Sequence, residues 1–560
     1  MQASKARRHL YGVEDRPRLP HAIALSTQHA LLALLFLVYP LAAAQQIGLS
    51  PGDTEKFLTA VILSIGGATM LHGLRAPVGS GALAVEIPTP AFLPTAVLAG
   101  SAGGLSMLAG MSLVSGVVEF FFAGALRRLR ALFPAEVCGV AVVMLGMSLV
   151  RPGILNTLET VSGQSVVRAA PLAVAAVTLA TITIIAIFAT GRLKLLALGG
   201  GLLAGISLDW VLGTDGDHWG ALGMAHWVGV PSVELGTAGF SLELLPLCVV
   251  MALILGVDNV GMLIGIQREM NPAWTRIDMK QAGSGIRVSA FGDLLAGLFG
   301  GMPTGISSAN ISLAHATGAI ARRIALLTGV LIIAAAFSPK AIKAVSLIPK
   351  PVVGAVMIYA AAYMLVSGMT LFLGRLLNER RMFVVGFSIV LGLGPVVVPG
   401  MFSEAPESLR PILESPLALG SFCAILLTQL LRFGAAAKAE IAIALPVSSN
   451  EMMQELVCNK AIRAGLVRLG ASAGAARPAV YRAIDVTSEC VGWLKVNGFI
   501  EGDVQLTASF VDSQLDITLA YDGHRAPDFG TLPATLQADS VTTRSHGSRQ
   551  HLMLSFEPSN

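Results

Sequence analysis

Apolar residues run in long, nearly continuous stretches over most of the chain. From Thr27 to about Phe433 these stretches are separated by short polar connections, and from about Lys438 onward charged residues return at an ordinary density. A membrane helix needs about 20 mostly apolar residues, so the first part predicts a helical membrane domain and the second a soluble domain. We expect four regions: a polar N-terminal segment over 1–26, a membrane domain over 27–434, an α/β domain over 435–535 and a disordered tail over 536–560.

Fourteen apolar stretches can be distinguished between Gln28 and Arg432. If the N-terminus is cytoplasmic, most basic residues of the connections fall on the cytoplasmic side, as the positive-inside rule requires. An even number of crossings is needed to place the basic residues on the cytoplasmic side throughout. Twelve crossings would also be even, so the prediction of fourteen depends on the count of apolar stretches. We predict a multi-pass protein of the inner (plasma) membrane with both termini in the cytoplasm.

Composition narrows the function classes. The chain has 560 residues, of which 54% are apolar and 13% charged, and its mean hydropathy is +0.72. Soluble proteins average about 25% charged residues, so a cytosolic enzyme, a disordered protein and a nucleic-acid binder are excluded. The five cysteines are scattered and form no CxxC pair, which predicts neither disulfides nor a zinc site. We expect a membrane protein that is not an enzyme and has no cofactor and no metal.

Two of the stretches cannot be continuous helices. The third, over Gly79–Leu98, contains Pro88, Pro90 and Pro94, and the tenth, over Gly300–Ile320, begins with a Gly/Pro turn. Proline removes helix hydrogen bonds, so each stretch predicts an extended piece followed by a half-helix. Interrupted segments seven positions apart indicate two inverted halves, with substrate bound between their half-helix N-termini. The alternative is a pair of ordinary helices kinked by proline.

A few ionisable residues lie inside the apolar stretches. Such residues are costly in lipid and indicate function by default. Asp258 is the strongest candidate, because a long apolar run precedes it and Asn259 adjoins it. Glu86 could bind substrate or brace the extended piece. Glu119 and Asp293 lie nearer to predicted helix ends, where capping or pairing would explain them.

Motifs in three stretches resemble one transporter family. The first stretch carries Gln28-His29, and the tenth carries Asn310, Thr317 and Gly318 at the spacing of a family signature. These motifs, together with an acidic residue in the eighth stretch, resemble the nucleobase–ascorbate transporter family, also called xanthine/uracil permeases. The resemblance covers about residues 11–433.

The chain departs from that family pattern at the positions expected to contact substrate. Ala309 replaces a Glu or Gln and Ser312 replaces a Gly in the tenth stretch, while Met262 replaces a polar residue in the eighth. Asp258 stands where the family has the longer Glu. These changes leave the transported base and the coupling to protons open.

The resemblance implies an all-α polytopic fold of 14 transmembrane segments in two inverted seven-helix repeats. Segments 1–4 and 8–11 would form a core domain, and the others a gate domain. The core would move uracil, xanthine, urate or a related base in an elevator-like motion, with protons, in a homodimer.

The candidate site follows from the resemblance and from the chemistry of a base. A carboxylate can accept two N–H bonds from the edge of a heterocycle, and backbone N–H groups at a helix start can meet a carbonyl. The substrate-binding candidates are Asp258, Ser308, Ala309, Asn310, Ala82, Leu83 and Ala84. The candidates for proton coupling or site support are His29, Gln28, Glu86 and Thr317.

The C-terminal region predicts a helix over 476–494 and two strands within 502–523 that turn at Asp512-Ser513. This order weakly resembles the histidine-kinase-type ATPase fold of bacterial anti-sigma kinases. Glu489 matches that family's magnesium motif, but Trp493 replaces its Asn, and Asp522-Gly523-His524 is a truncated adenine-binding loop. A degenerate regulatory module is therefore favoured over an active ATPase.

Two other functions are compatible with the same architecture. Paired half-helix N-termini suit anions, so an inorganic-anion carrier of the sulfate permease type is one alternative. A non-transporting membrane sensor that signals through the C-terminal domain is another. Gln28-His29 and Asp258 favour the base, because a buried carboxylate repels an anion.

Overall fold

A computed structural model provides the coordinates. It describes residues 10–129, 134–161, 164–166, 168–212, 218–233, 235–236, 238–271, 278–374, 376–406, 409–432, 439–445, 451–473, 475, 477–500, 503–511, 514–523, 538, 540–546 and 549–556. The first nine residues of the N-terminal segment, the Asp512-Ser513 turn and His524 lie outside these ranges.

Apolar helices dominate the first 432 residues. In chain order they are α1 (Leu19–Leu35), α2 (Val38–Ile47), α3 (Pro51–His72), α4 (Leu93–Leu129), α5 (Ala135–Thr157), α6 (Ala169–Phe188), α7 (Ala197–Leu212), α8 (His218–Met224), α9 (Leu245–Met270), α10 (Met279–Phe299), α11 (Ser308–Thr317), α12 (Arg322–Ala336), α13 (Pro339–Ser346), α14 (Lys350–Leu373), α15 (Glu379–Val397), α16 (Arg410–Glu414) and α17 (Pro416–Arg432). Short strands β1 (Glu86–Pro88), β2 (Glu159–Val161), β3 (Gln164–Val166) and β4 (Thr304–Ile306) lie between them.

Nine of the described helical segments are long and apolar enough to cross a membrane, or ten if the bent α12–α13 pair is one span. The chain is therefore a multi-pass membrane protein. The predicted fourteen segments include interrupted ones, whose half-helices are too short to cross a membrane and are not counted here. The two numbers are therefore not directly comparable. The count of fourteen stays a prediction.

The chain divides into two compact units. Within the described residues the larger comprises 10–368 and 388–425, and the smaller 369–387 and 426–556. In the larger unit α3 packs on α12 and α10 packs on α4, while α1 packs on α12 and α9 on α4. These four pairings form two matched pairs, since α3 on α12 corresponds to α10 on α4, and α1 on α12 corresponds to α9 on α4. Such an exchange is what two repeats related by a two-fold axis produce.

The two interrupted segments meet as a short antiparallel sheet. Glu86 pairs with Ile306, Ile87 with Gly305 and Pro88 with Thr304. The N–H of Ser307 extends the pairing by donating to the carbonyl of Val85 at 2.9 Å. The predicted extended pieces are thus β1 and β4, and each is followed by a helix.

Both half-helices end at a glycine with a positive φ. Gly104 has φ +66° within α4, where it separates the half-helix from the long helix that follows, and Gly318 has φ +66° immediately after α11. Left-handed φ costs a residue with a Cβ free energy that glycine avoids. The two breaks therefore share a residue type and the sign of φ, but ψ is −158° at Gly104 and 19° at Gly318, so only Gly318 has the left-handed helical conformation.

The C-terminal part of the smaller unit is an α/β domain. Its elements are β5 (Ala439–Leu445), α18 (Glu451–Ala473), α19 (Arg477–Val496), β6 (Val504–Val511), β7 (Gln514–Asp522), β8 (Ser540–His546) and β9 (Arg549–Phe556). The strands form one antiparallel sheet in the order β5-β6-β7-β9-β8. The predicted helix and the predicted strand pair correspond to α19 and to β6 and β7.

The predicted disordered tail is wrong where the structure describes it. Residues 540–546 and 549–556 are β8 and β9, and the domain extends beyond residue 535. Leu552, Leu554 and Phe556 alternate along β9 and are fully buried against the helices. The sequence looked polar here because a strand buried on one face needs only every second residue to be apolar, and the other residues of β9 are mostly polar.

Candidate functional site

The crossing of β1 and β4 places the start of α11 beside α9. Ser307 caps α11, since its Oγ accepts from the backbone N–H of Asn310 at 3.2 Å. The N–H groups of Ser308 and Ala309 therefore lie in the first turn, where a helix offers them no acceptor. This is the arrangement that the interrupted tenth stretch predicted.

The Gln-His motif and the tenth-segment signature are joined by a hydrogen bond. His29 Nδ1 and Asn310 Oδ1 are 2.7 Å apart, and both residues are buried. Asn310 Nδ2 donates to Ser307 Oγ at 3.0 Å, so Oδ1 is the acceptor and His29 Nδ1 must donate. His29 Nε2 is buried and has no partner among the described residues. Gln28 is exposed and does not join this bond.

Glu86 sits at the start of β1 in a fully buried polar cluster. Its Oε1 lies 2.9 Å from His72 Nε2 and accepts from Ser289 Oγ at 2.6 Å. His72 Nδ1 lies 2.9 Å from Ser80 Oγ, so both nitrogens of the imidazole have a partner. The cluster of Glu86, His72 and Ser289 connects β1 to α3 and α10.

Asn259 connects α9 to both α4 and β4. Its Oδ1 accepts from the N–H of Ile306 at 3.0 Å, and its Nδ2 donates to Glu119 Oε1 at 2.7 Å. Asp293 of α10 plays a similar part: its Oδ1 accepts from the N–H of Thr304 at 2.8 Å, and its Oδ2 accepts from Ser115 Oγ at 2.8 Å. Both ends of β4 are therefore held by side chains from neighbouring helices.

Asp258 and Asn259 point in different directions from α9. The side chain of Asp258 is exposed, whereas the adjoining Asn259 is buried against β4. That Asp258 lines a cavity beside the interrupted segments stays a prediction. Successive residues of a helix point about 100° apart, so only one of the two can face β4. Glu119 and Asp293, which the sequence assigned to helix ends, are fully buried instead. Asp258 still adjoins an interrupted segment, because Asn259 is bonded to Ile306 and Ser308 follows two residues later.

The remaining candidates are placed as follows. Ala82, Leu83 and Ala84 are buried in the chain leading to β1, and the Ala82 N–H donates to the His72 carbonyl at 3.2 Å, so it is not free for a ligand. Leu83 lines a small apolar cavity with residues of α9 and α11. Thr317 Oγ1 donates to the carbonyl of Leu313 at 2.9 Å, which makes it a terminator of α11.

Sequence reasoning missed the residues that hold the crossing: His72, Ser289, Ser115 and, in this role, Asn259. No local spacing links them, since each bonds a residue distant in the chain. The only hint in the sequence was that these polar residues lie inside apolar stretches, where a polar side chain needs a hydrogen-bond partner.

A family model described as the Permease family matches residues 20–401. The chain belongs to the Permease family. The predicted resemblance to xanthine/uracil permeases is confirmed by this match.

Relatives within the Permease family cover the membrane domain. The chain is 24% identical to the xanthine permease XanP of Escherichia coli strain K12, over 75% of this chain and 93% of that protein. It is 26% identical to the uric acid permease PucK of Bacillus subtilis strain 168, over 72% of this chain and 94% of that protein. A solved structure of SLC26A9 shares the fold, with TM-score 0.51, 10% identity and coverage of 78% of this chain and 69% of that one.

Proposed function

We propose that this Permease family protein is a secondary active transporter of a nucleobase, with a purine such as xanthine or urate as the first choice. Relatives that carry these substrates in their names align over the whole membrane domain. The observation that carries the proposal is the His29–Asn310 bond, which unites the two motifs at the N-terminal half of α11 beside the strand crossing.

In this proposal the base lies against α9 and the start of α11. The exposed Asp258 carboxylate accepts two N–H groups from one edge of the ring, and the N–H groups of Ser308 and Ala309 donate to a ring carbonyl or anion. Leu83 and Ala84 flank the ring on the side of the first interrupted segment. Asn310 does not contact the base: its side chain is buried, accepts the His29 N–H and fixes the position of α11. Glu86 supports β1 in the same way.

Several finer features belong to the same proposal. Transport is proton symport by an elevator motion of a core domain against a gate domain, in a homodimer in the plasma membrane, with both termini cytoplasmic.

The N–H of Leu376 donates to the carbonyl of Ala475, and the N–H of Arg477 donates to that of Gly374, both at 3.0 Å. These bonds tie the C-terminal domain to the α14–α15 connection, which is followed by the basic residues Arg380 and Arg381, and support a cytoplasmic location.

The C-terminal domain, on this proposal, is a regulatory module without ATPase activity. Trp493, which stands where the related kinases hold magnesium through an Asn, stacks on Phe499 with ring centroids 5.4 Å apart. An aromatic pair at that position supplies no metal ligand.

The test is uptake of radiolabelled xanthine, urate and uracil into proteoliposomes. Asp258→Ala should lower purine uptake at least about tenfold, since one charge-assisted bond is worth more than about 1.4 kcal/mol. Asp53→Asn, which changes an exposed capping carboxylate, is the matched control and should leave uptake unchanged.

Ser308→Pro sharpens this test. Proline is favoured at the first position of a helix, and Ser307 already has the extended φ −77°, ψ 114° that precedes proline. The variant removes one N–H and keeps α11, so purine uptake should fall several-fold with unchanged melting temperature. Uptake of labelled sulfate that bases do not inhibit would favour the anion carrier, and base binding without uptake would favour the sensor.

A further inference from the structure

Glu119 is a buried carboxyl group of α4 that the proposed base site does not use. The residue is fully buried, and Oε1 receives the Asn259 N–H at 2.7 Å. Oε2 is also buried and has no partner among the described residues. A polar atom buried in this way costs free energy unless something satisfies it.

The hydrogen bonds determine which oxygen of Glu119 can carry a proton. The N–H of Ile306 can only donate, so the Asn259 atom that faces it must be Oδ1. The Asn259 amide nitrogen therefore faces Glu119, and Oε1 must accept. A proton on Glu119 can consequently lie only on Oε2.

The charges around Glu119 are all acidic. The carboxyl groups of Asp293, Glu86 and Asp258 lie close enough to act on its charge, and no basic side chain of the described ranges is within ion-pair distance of it. Glu86 is bonded to His72 and Ser289, and Asp293 has two donors, whereas Glu119 has one. An ionised carboxylate in this place would cost several kcal/mol, so the group crosses the membrane neutral.

We propose that Glu119 Oε2 carries the proton that is coupled to base transport, and that Asn259 transmits its state to β4 and to the base site. This inference rests on the proposed function. The proton enters Oε2 from water on one side and leaves from the same atom on the other. When it leaves, the carboxylate holds the Asn259 N–H more strongly, and Asn259 pulls on the Ile306 N–H two residues before Ser308.

A sodium ion is the alternative to a proton as the coupled ion. If Glu119 carries a proton, a pH gradient should drive transport and a sodium gradient in its place should not.

Two modes of xanthine transport in proteoliposomes separate the roles. With a pH difference of about two units, one proton per base supports accumulation of up to about 100-fold. Counterflow, the exchange of labelled for unlabelled xanthine at equal pH, needs no net proton movement. Glu119→Gln keeps the Oε1 acceptor and cannot take up a proton, so accumulation should fall to about 1-fold while counterflow stays within about twofold of wild type.

The matched control is Glu136→Gln, at a buried carboxyl of α5 that takes no part in the proposed site; it should keep gradient-driven accumulation. Accumulation by Glu119→Gln at the wild-type level, or driving by sodium, would overturn the inference, as would loss of both modes at an unchanged melting temperature. If Glu119→Gln melts early, Glu119→Asp decides: it must accumulate xanthine if the inference is right. Absence of all base transport by the wild type would instead refute the proposed function.

Discussion

Strand β1 brings its own carboxylate into the crossing, whereas β4 receives its polar contacts from neighbouring helices. Glu86 of β1 reaches out to His72 and Ser289, while the N–H groups of Thr304 and Ile306 are held by Asp293 and Asn259. Each segment is a short strand followed by a helix that ends at a glycine of positive φ, although ψ differs between the two glycines. The two segments thus share an order of elements and differ in the chemistry that supports it.

This difference also separates the electrostatics of the two segments. The carboxyl of β1 is hydrogen-bonded to a histidine and a serine, so it can serve as a brace. Around β4, Asn259 ties the strand to Glu119, which has no such histidine among the described residues. The second segment is therefore the one whose support can respond to a proton.

The largest expected effect comes from removing the support of β4 at Asp293. Asp293→Ala leaves the Thr304 N–H and the Ser115 hydroxyl buried without their acceptor and should destabilise the protein by about 3 kcal/mol. Thermal unfolding in detergent measures the change. Asp293→Asn is the control, because its amide oxygen still accepts from Thr304 and its N–H can donate to Ser115; it should lose less than half as much. Equal melting of both variants would contradict the assigned bonds.

A middle-sized effect tests whether the two half-helix ends are equivalent. Gly104→Ala should cost about 2 kcal/mol from backbone conformation alone, since φ +66° with ψ −158° is a region that essentially only glycine adopts. Gly318→Ala should cost less, about 1 kcal/mol, because φ +66° with ψ 19° is the left-handed helical region, which other residues can enter. Gly124→Ala, at an open helical position without positive φ, should be neutral or stabilising in the same melting experiment. A Gly104 variant as stable as the Gly124 variant would show that the break does not need glycine.

The smallest expected change in stability concerns Glu14. Its carboxylate pairs with Arg75, just before the first interrupted segment, and with Arg322, just after the second. Its carboxylate lies 2.7 Å from Arg75 Nη2 and 3.2 Å from Arg322 Nε, and the hydrogen bond from Arg75 is the main reason that the pKa of Glu14 lies below its ordinary value of 4.5. A lowered pKa means that the stabilisation is complete above pH 4.5 and is lost as pH falls through the folded-state value. The melting temperature of Glu14→Gln should therefore lie slightly below wild type at neutral pH and converge with it in acid. The pair is exposed, so high salt should also reduce the difference; a difference that grows in acid would contradict the pairing.

The interrupted segments could be predicted from the sequence because proline and glycine act locally. Pro88, Pro90 and Pro94 predicted the break before α4, and the Gly/Pro turn predicted the break before α11. The identities of the bonded partners could not be predicted in the same way. His72 meets Glu86 and Asn259 meets Glu119 only after helices pack, and no spacing along the chain encodes the second pair.

Hydropathy determined by itself that this is a multi-pass membrane protein, because long apolar stretches with few charges are what a bilayer requires. The motifs determined the family. Tertiary structure decided how far each carboxyl group is covered: Glu119, assigned to a helix end, is fully buried, whereas the side chain of Asp258 is exposed. The rotation of each helix about its own axis depends on what packs against it, and a uniformly apolar stretch does not specify that rotation.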